Sequence, residues 1–270
     1  MMKTLLILIL SLIGPFTWAQ EIHWELIGEV PVKGLEQISF DNRGQIFYSN
    51  SSGNLYQLSP DGKQINHYSP SRQASITQLE ASWTVNIFTF SKDLQRYEIF
   101  DRFLNPILTR DMDRLGIGLA KAATLGNNNS LWVFDESNIS LNRIDYKRQQ
   151  LLQNQPLNLV LNGQDWNVLD IKEHRNMLYL RVQDEVLIFD NQGNYLRRLP
   201  VPGTSGLSIY GGHTYFIQEN QLIELQLDSG LKKSFQLPKR GDDKQVLVHQ
   251  NRLILYDQAS ISIYLNPLNY

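Results

Sequence analysis

Residues 38–62 read ISFDNRGQIFYSNSSGNLYQLSPDG, and their order decides how the rest of the chain is read. A short apolar segment around Ile38 leads through a polar turn at Gly44 into the unbroken apolar run Ile46-Phe47-Tyr48. A second turn, at Gly53, opens the alternating segment Asn54-Leu55-Tyr56-Gln57-Leu58, which stops at Ser59-Pro60-Asp61-Gly62. A run that is apolar at every position suits a strand covered on both faces, and an alternating one suits a strand covered on one face. Asp, Asn and Gly between them favour tight hairpin turns. The stretch therefore spells three consecutive antiparallel strands.

The same order returns five times. Apolar openers lie around Ile38, Leu79, Ala123, Leu169, Leu207 and Val246, separated by 41, 44, 46, 38 and 39 residues, which is the length of a four-stranded propeller blade. Each opener is followed by a second, continuous run: Ile46–Tyr48, Ile87–Phe88, Leu131–Phe134, Met177–Leu180, Thr214–Ile217 and Leu253–Tyr256. Third, alternating elements at Asn54–Leu58, Gln95–Ile99, Ser140–Ile144, Gln221–Leu225 and Ser260–Tyr264 predict half-buried strands further from the axis. Asp-Gly turns at Ser59–Gly62, Asp190–Gly193 and Leu227–Gly230 precede a fourth, polar strand that ends near Pro70, Pro156, Pro200 or Pro238. Proline cannot donate to a ladder, so it belongs where an outer strand stops.

The sixth copy has no fourth strand, because the sequence ends at Tyr270 soon after Tyr264-Leu265. The run His23–Val30, ending at Pro31, has the missing character. The reading is all-β: a six-bladed β-propeller over residues 20–270 whose last blade is closed by the N-terminal strand. No segment sustains helical spacing. Asp111–Gly116 is expected to form one helical turn, since nearby glycines oppose anything longer.

Met1–Ala19 reads as a secretory signal peptide. Lys3 is the positive region, Leu5–Ile13 the apolar region, and Thr17 and Ala19 the small residues before the cut. About nine apolar residues fall well short of the roughly 20 that span a bilayer, so no transmembrane segment is expected. The chain has no cysteine, which excludes a bacterial lipid anchor and fits a periplasmic or surface protein better than a disulfide-stabilised eukaryotic one. Removing Lys3 leaves 24 basic against 27 acidic residues, a net charge of −3. No nucleic-acid partner is expected from that balance.

The pattern of Phe40-Asp-Asn-Arg-Gly-Gln-Ile-Phe47, then Gly53-Asn-Leu-Tyr56, then a Pro-Asp-Gly turn resembles the NHL and TolB-like six-bladed propellers. The resemblance covers the mature chain as architecture and implies a fold, not a function. Trp-Asp pairs, a Gly-Gly pair in every blade and a complete sialidase Asp-box are all missing.

Candidate chemistry is sparse. No Gly-x-Ser-x-Gly elbow is present. His23, His67, His174, His213 and His249 occur singly, without the spacing that sets two imidazoles on one metal. Asp111-Met-Asp113 with Gly116 imitates the start of a calcium loop, but Leu115 and Ala122 stand where ligands belong. No cofactor, metal or catalytic residue is expected.

In a propeller the residues leading into each innermost strand face the axial channel at one end. Here they are Glu36, Gln78, Lys121, Asp165 with Trp166, Ser205 and Asp243. Three carboxylates, one lysine and no histidine do not make the convergent set that a calcium-dependent lactonase or a lyase needs. Trp166, beside Asp165 and Asn167, reads either as a contact residue or as packing between blades; Trp83 and Trp132 read as packing. The expected function is a non-enzymatic, exported protein-interaction module with a partner in the cell envelope, such as an outer-membrane β-barrel. Its rivals are a propeller that binds glycans or small molecules, and a propeller hydrolase or lyase.

Overall fold

The apolar runs and Asx turns sort the chain into twenty-four strands in the computed structural model, which describes residues 23–82, 86–161, 167–203, 206–239 and 244–268. The leader read at Met1–Ala19 lies outside the described residues.

Blade one is β2 (Leu35–Phe40), β3 (Ile46–Asn50), β4 (Leu55–Leu58) and β5 (Gln64–Tyr68). Blade two is β6 (Gln78–Glu80), β7 (Asn86–Ser91), β8 (Arg96–Asp101) and β9 (Pro106–Asp111). Blade three is β10 (Ala120–Leu125), β11 (Ser130–Asp135), β12 (Ser140–Asp145) and β13 (Gln150–Pro156). Blade four is β14 (Val168–His174), β15 (Met177–Val182), β16 (Glu185–Phe189) and β17 (Tyr195–Pro200). Blade five is β18 (Ser208–Tyr210), β19 (His213–Gln218), β20 (Gln221–Gln226) and β21 (Lys232–Gln236). Blade six is β22 (Gln245–His249), β23 (Arg252–Tyr256), β24 (Ser260–Leu265) and, from the other end of the chain, β1 (Glu25–Pro31).

All six sheets are antiparallel, and β1 lies beside β24 with Glu25 opposite Leu265 and Pro31 opposite Ser260. The N-terminal closure expected from His23–Pro31 is thus in place. Asp111 is followed by one 3-10 turn, Asp113–Leu115, ended by Gly116 with a left-handed backbone.

The core is divided among the blade junctions. Six apolar clusters fill them, one between each pair of neighbouring blades; Phe88, Phe90 and Tyr97 of blade two, for example, meet Ala123, Leu131 and Val133 of blade three. This arrangement corrects one expectation. β8 keeps the half-buried alternation, but β12, β20 and β24 are buried along nearly their whole length. Each sheet has a neighbour on both faces, and only the fourth strand reaches beyond that cover.

Asx side chains build the turns. The Oδ1 atoms of Asp41, Asn50, Asp101 and Asp190 each accept the N–H groups two and four residues ahead, at 2.8 to 3.1 Å. Third and outer strands are tied to the next blade's lower turn by side-chain donors. Asn66 donates to the Phe103 carbonyl, Gln153 to Gln192, Arg143 to Asn191, and Arg197 to Leu227 and Asp228.

Gly53 shows how tight the turns are. It sits at φ +79°, and a Cβ there would run into the carbonyl oxygen of Ala74. Gly53→Ala is expected to destabilise the protein by about 2 kcal/mol, from both the left-handed backbone and the collision. A urea midpoint equal to the parent's would contradict this.

Candidate functional site

All strand connections lie at the two ends of the ring. The upper face carries the links from each outer strand to the next inner one, and the lower face carries the hairpin turns after the first and third strands of each blade. Five of the upper links run seven to eleven residues, whereas the lower turns run two to five.

The inner strands leave a central cavity of about 40 Å³, lined by Gln37, Gln78, Glu80, Asp170, Lys172 and Tyr256 among others. Forty cubic ångströms holds a water or two. The polar groups around it are engaged with one another. The Gln78 carboxamide donates to Asp170 Oδ1 at 2.9 Å and to the Ile171 carbonyl at 3.1 Å, and its oxygen accepts the Ala123 N–H. Asp170 Oδ2 accepts the Leu207 N–H at 2.8 Å, and the Lys172 ammonium donates to the Leu207 carbonyl at 3.1 Å. Thr124 donates to the buried Glu80 carboxylate at 2.6 Å. The Tyr256 hydroxyl donates to Gln245 at 2.9 Å; burial, and after it the nearby Asp170 carboxylate, push that phenol up.

Blade seams alternate in character. The hydroxyls of Ser39, Thr124 and Ser208, on blades one, three and five, each accept a backbone N–H from the blade that follows, at Ala81, Glu173 and Val248, at 3.0 to 3.4 Å. On blades two and four, Gln78 and Asp170 take the next blade's N–H instead. At its lower end the channel is closed by rings. His249 stacks on Phe40 at 5.3 Å and meets Tyr210 edge-on at 5.1 Å. Nearby on the same end of blade four, burial, followed by Arg175 and Lys172, lowers His174 to about 4, which leaves it neutral at neutral pH.

Of the residues nominated from the sequence, Gln78 lies in the channel wall. Glu36 lies outside it, in an open cleft of about 460 Å³ on the upper face between blades one and six, with Leu35, Gln245, Tyr256 and Asp257–Ala259. Burial works against the charge of Asp257, but the Lys244 ammonium at 2.5 Å and the N–H groups of Ala259 and Ser260 outweigh it and hold the carboxyl at about 2. Lys121 is half-buried and paired with Glu136 at 3.0 Å. Asp165, Trp166, Ser205 and Asp243 lie outside the described residues, as does Trp83.

Glu36 and Lys121 share a cause. Each is the extra residue of a β-bulge at the start of its inner strand, between Leu35 and Gln37 and between Ala120 and Ala122. A bulge shifts the two-residue alternation by one, so the next residue takes the channel-facing phase. The sequence signal that finds the wall is a polar pair two apart inside three of the six openers: Gln37-x-Ser39, Gln78-x-Glu80 and Asp170-x-Lys172.

Trp132 is 1% exposed between blades three and four, with its indole N–H on Glu173 Oε2 at 2.9 Å. Asp111 of the calcium-loop look-alike is held by Arg96 at 2.7 Å. Among the described residues no three His, Asp or Glu side chains are placed to hold one metal ion, and no helix is long and apolar enough to cross a membrane.

Fold and channel together define a six-bladed β-propeller. No protein-family model matches the chain, and no curated protein matches its sequence. Solved propellers match its shape. The Neurospora crassa Pan2 WD40 domain aligns with TM-score 0.60 and 10% identity, over 93% of this chain and 98% of that one. Virginiamycin B lyase from Staphylococcus aureus aligns with TM-score 0.62 and 11% identity, over 90% and 99%. BamB from Moraxella catarrhalis aligns with TM-score 0.50 and 9% identity, over 86% of each. At such identities the likeness is one of fold.

Proposed function

We propose that this chain is an exported, non-catalytic propeller that binds a protein partner in the cell envelope through its upper face. The observation that carries the reading is the filled axis. A propeller enzyme or small-molecule binder generally works in the mouth of its channel, where ligand pockets measure roughly 300 Å³ or more. Here about 40 Å³ remains, and the groups around it bond to neighbouring blades. The upper face, with its long links, supplies irregular surface on a rigid frame, as binding proteins use loops on a scaffold. An outer-membrane β-barrel is the form of partner that compartment and fold together favour.

The 460 Å³ cleft beside Glu36 supports a second reading, a site for a glycan or small molecule held by Glu36, Tyr256 and Asp257. Photo-crosslinkers placed at Gln258 on the upper face and at Asn191 on the lower face separate the two in the native envelope. The first reading expects one stoichiometric protein captured from Gln258 only. Saturable glycan binding that is lost in Asp257→Ala, with no such protein, would overturn it. Turnover abolished by Glu36→Gln would establish an enzyme instead.

A further inference from the structure

The lower rim carries a pattern independent of the partner reading. In blades one to four the outer strand bulges at its start, and the extra residue is always aliphatic: Ile65, Ile107, Leu152 and Leu196. Leu231 stands just before β21, and Leu26 just before the bulge of β1. These six residues, one per blade, are 44 to 68% exposed. A single exposed Leu is ordinary, but an exposed aliphatic residue near the start of the outer strand in every blade is not. Outer strands begin at the lower face, so the six side chains mark a ring around that end.

Basic residues accompany them in the adjoining turns. Lys63, Arg102, Lys147, Arg148 and Lys232 are exposed there. Two of them pair with acids of their own turns, Lys63 with Asp61 at 3.1 Å and Arg148 with Asp145 at 3.8 Å, while Asp101 and Asp190 keep their charge and accept N–H groups of their turns. Asp228 is exposed.

We infer that the lower rim rests on an anionic lipid surface, with the six aliphatic side chains dipping among the acyl chains and the basic residues meeting headgroups. Two observations select a bilayer over a protein. Six points on a ring share one plane, so a flat surface meets all of them at once, whereas a globular partner would have to match the whole circumference. The chain also enters β1 from the lower face, and the apolar run Leu5–Ile13 lies only nine residues before His23. Shallow aliphatic insertion plus basic residues is the chemistry of interfacial binding to anionic leaflets.

Flotation of the full chain with phosphatidylcholine vesicles, with and without phosphatidylglycerol, tests this. The protein should float with the anionic vesicles and be released by raised salt. Ile107→Ser, Leu152→Ser and Leu196→Ser together should weaken binding roughly tenfold or more, as should Lys147→Glu with Arg148→Glu, while Lys33→Glu on the upper face changes nothing. All three aliphatic sites are exposed, so the variant should keep the parent's melting curve. Absence from the anionic fraction would overturn the inference, as would flotation that the rim variants leave unchanged. A dimer dissolved by the triple serine variant, without vesicle binding, would assign the rim to a second copy instead.

Discussion

Deletion of residues 23–31 should leave a chain that no longer unfolds in one cooperative step. β1 pairs with β24 along its length, the Trp24 indole bonds to the Gln236 carbonyl at 2.8 Å, and Glu29 pairs with Lys239 at 2.8 Å. Ile27 and Val30 pack into the junction of blades six and one, and Trp24 into that of blades five and six. Losing three such side chains and a ladder costs about 5 kcal/mol, comparable with the whole stability of an ordinary domain. The deletion also bares β24, whose six residues Ser260–Leu265 carry no charge. An uncharged, apolar edge is a template for aggregation. Size-exclusion chromatography and urea melts followed by two probes would register the change; coincident transitions at the parent's midpoint would show that the ring holds without its first strand.

Trp132→Ala should be the most damaging single substitution among those argued here, at about 3–5 kcal/mol. The side chain fills the seam between blades three and four, and a cavity of about 100 Å³ already lies beside it, lined by Asn127, Arg143, Glu173 and Asn176. Truncation would enlarge that space and remove a hydrogen bond from Glu173. Burial raises the Glu173 carboxyl even with the Asn127 and Trp132 N–H groups opposing it. For a chain of this length the melting temperature should fall by about 10 °C. Trp132→Phe restores most of the volume but not the donor, so it should lie between the two, and adding Glu173→Gln should recover part of the remainder. Equal melting temperatures for Trp132→Phe and Trp132→Ala would show that the donor, not the ring volume, governs the site.

The strands were legible because two-sided cover writes itself as unbroken apolar runs, and Leu131–Phe134 or Leu253–Tyr256 could hardly be anything else. The closing strand was legible for a different reason: six copies of a repeat make a missing piece visible, and Trp24–Pro31 was the one unassigned run that fitted. Burial of the third strands was not legible. Gln57, Asn142 and Glu224 are polar yet buried, because the alternation in β4, β12 and β20 reflects side-chain hydrogen bonding between strands and blades more than contact with water. Asn142, for instance, bonds Ser140 and Asn154 within its own sheet.

The channel wall was legible only in part. Gln78 lines it, while Glu36 stands in the upper-face cleft and Lys121 pairs with Glu136, positions that counting residues evenly from the turn does not foresee. Bulges break even counting, and nothing in Leu35-Glu36-Gln37 or Ala120-Lys121-Ala122 announces one. The rim aliphatics stood in plain sight as Gln64-Ile65, Pro106-Ile107 and Tyr195-Leu196, yet they read as ordinary strand residues until the bulges turned them outward.

Along the five seams from blade one to blade six the joining groups take turns: the hydroxyls of Ser39, Thr124 and Ser208 alternate with the longer side chains of Gln78 and Asp170. Within that run, a derivative that duplicates one blade would set two blades of the same kind side by side, whereas one that duplicates a consecutive pair would keep the order of joining.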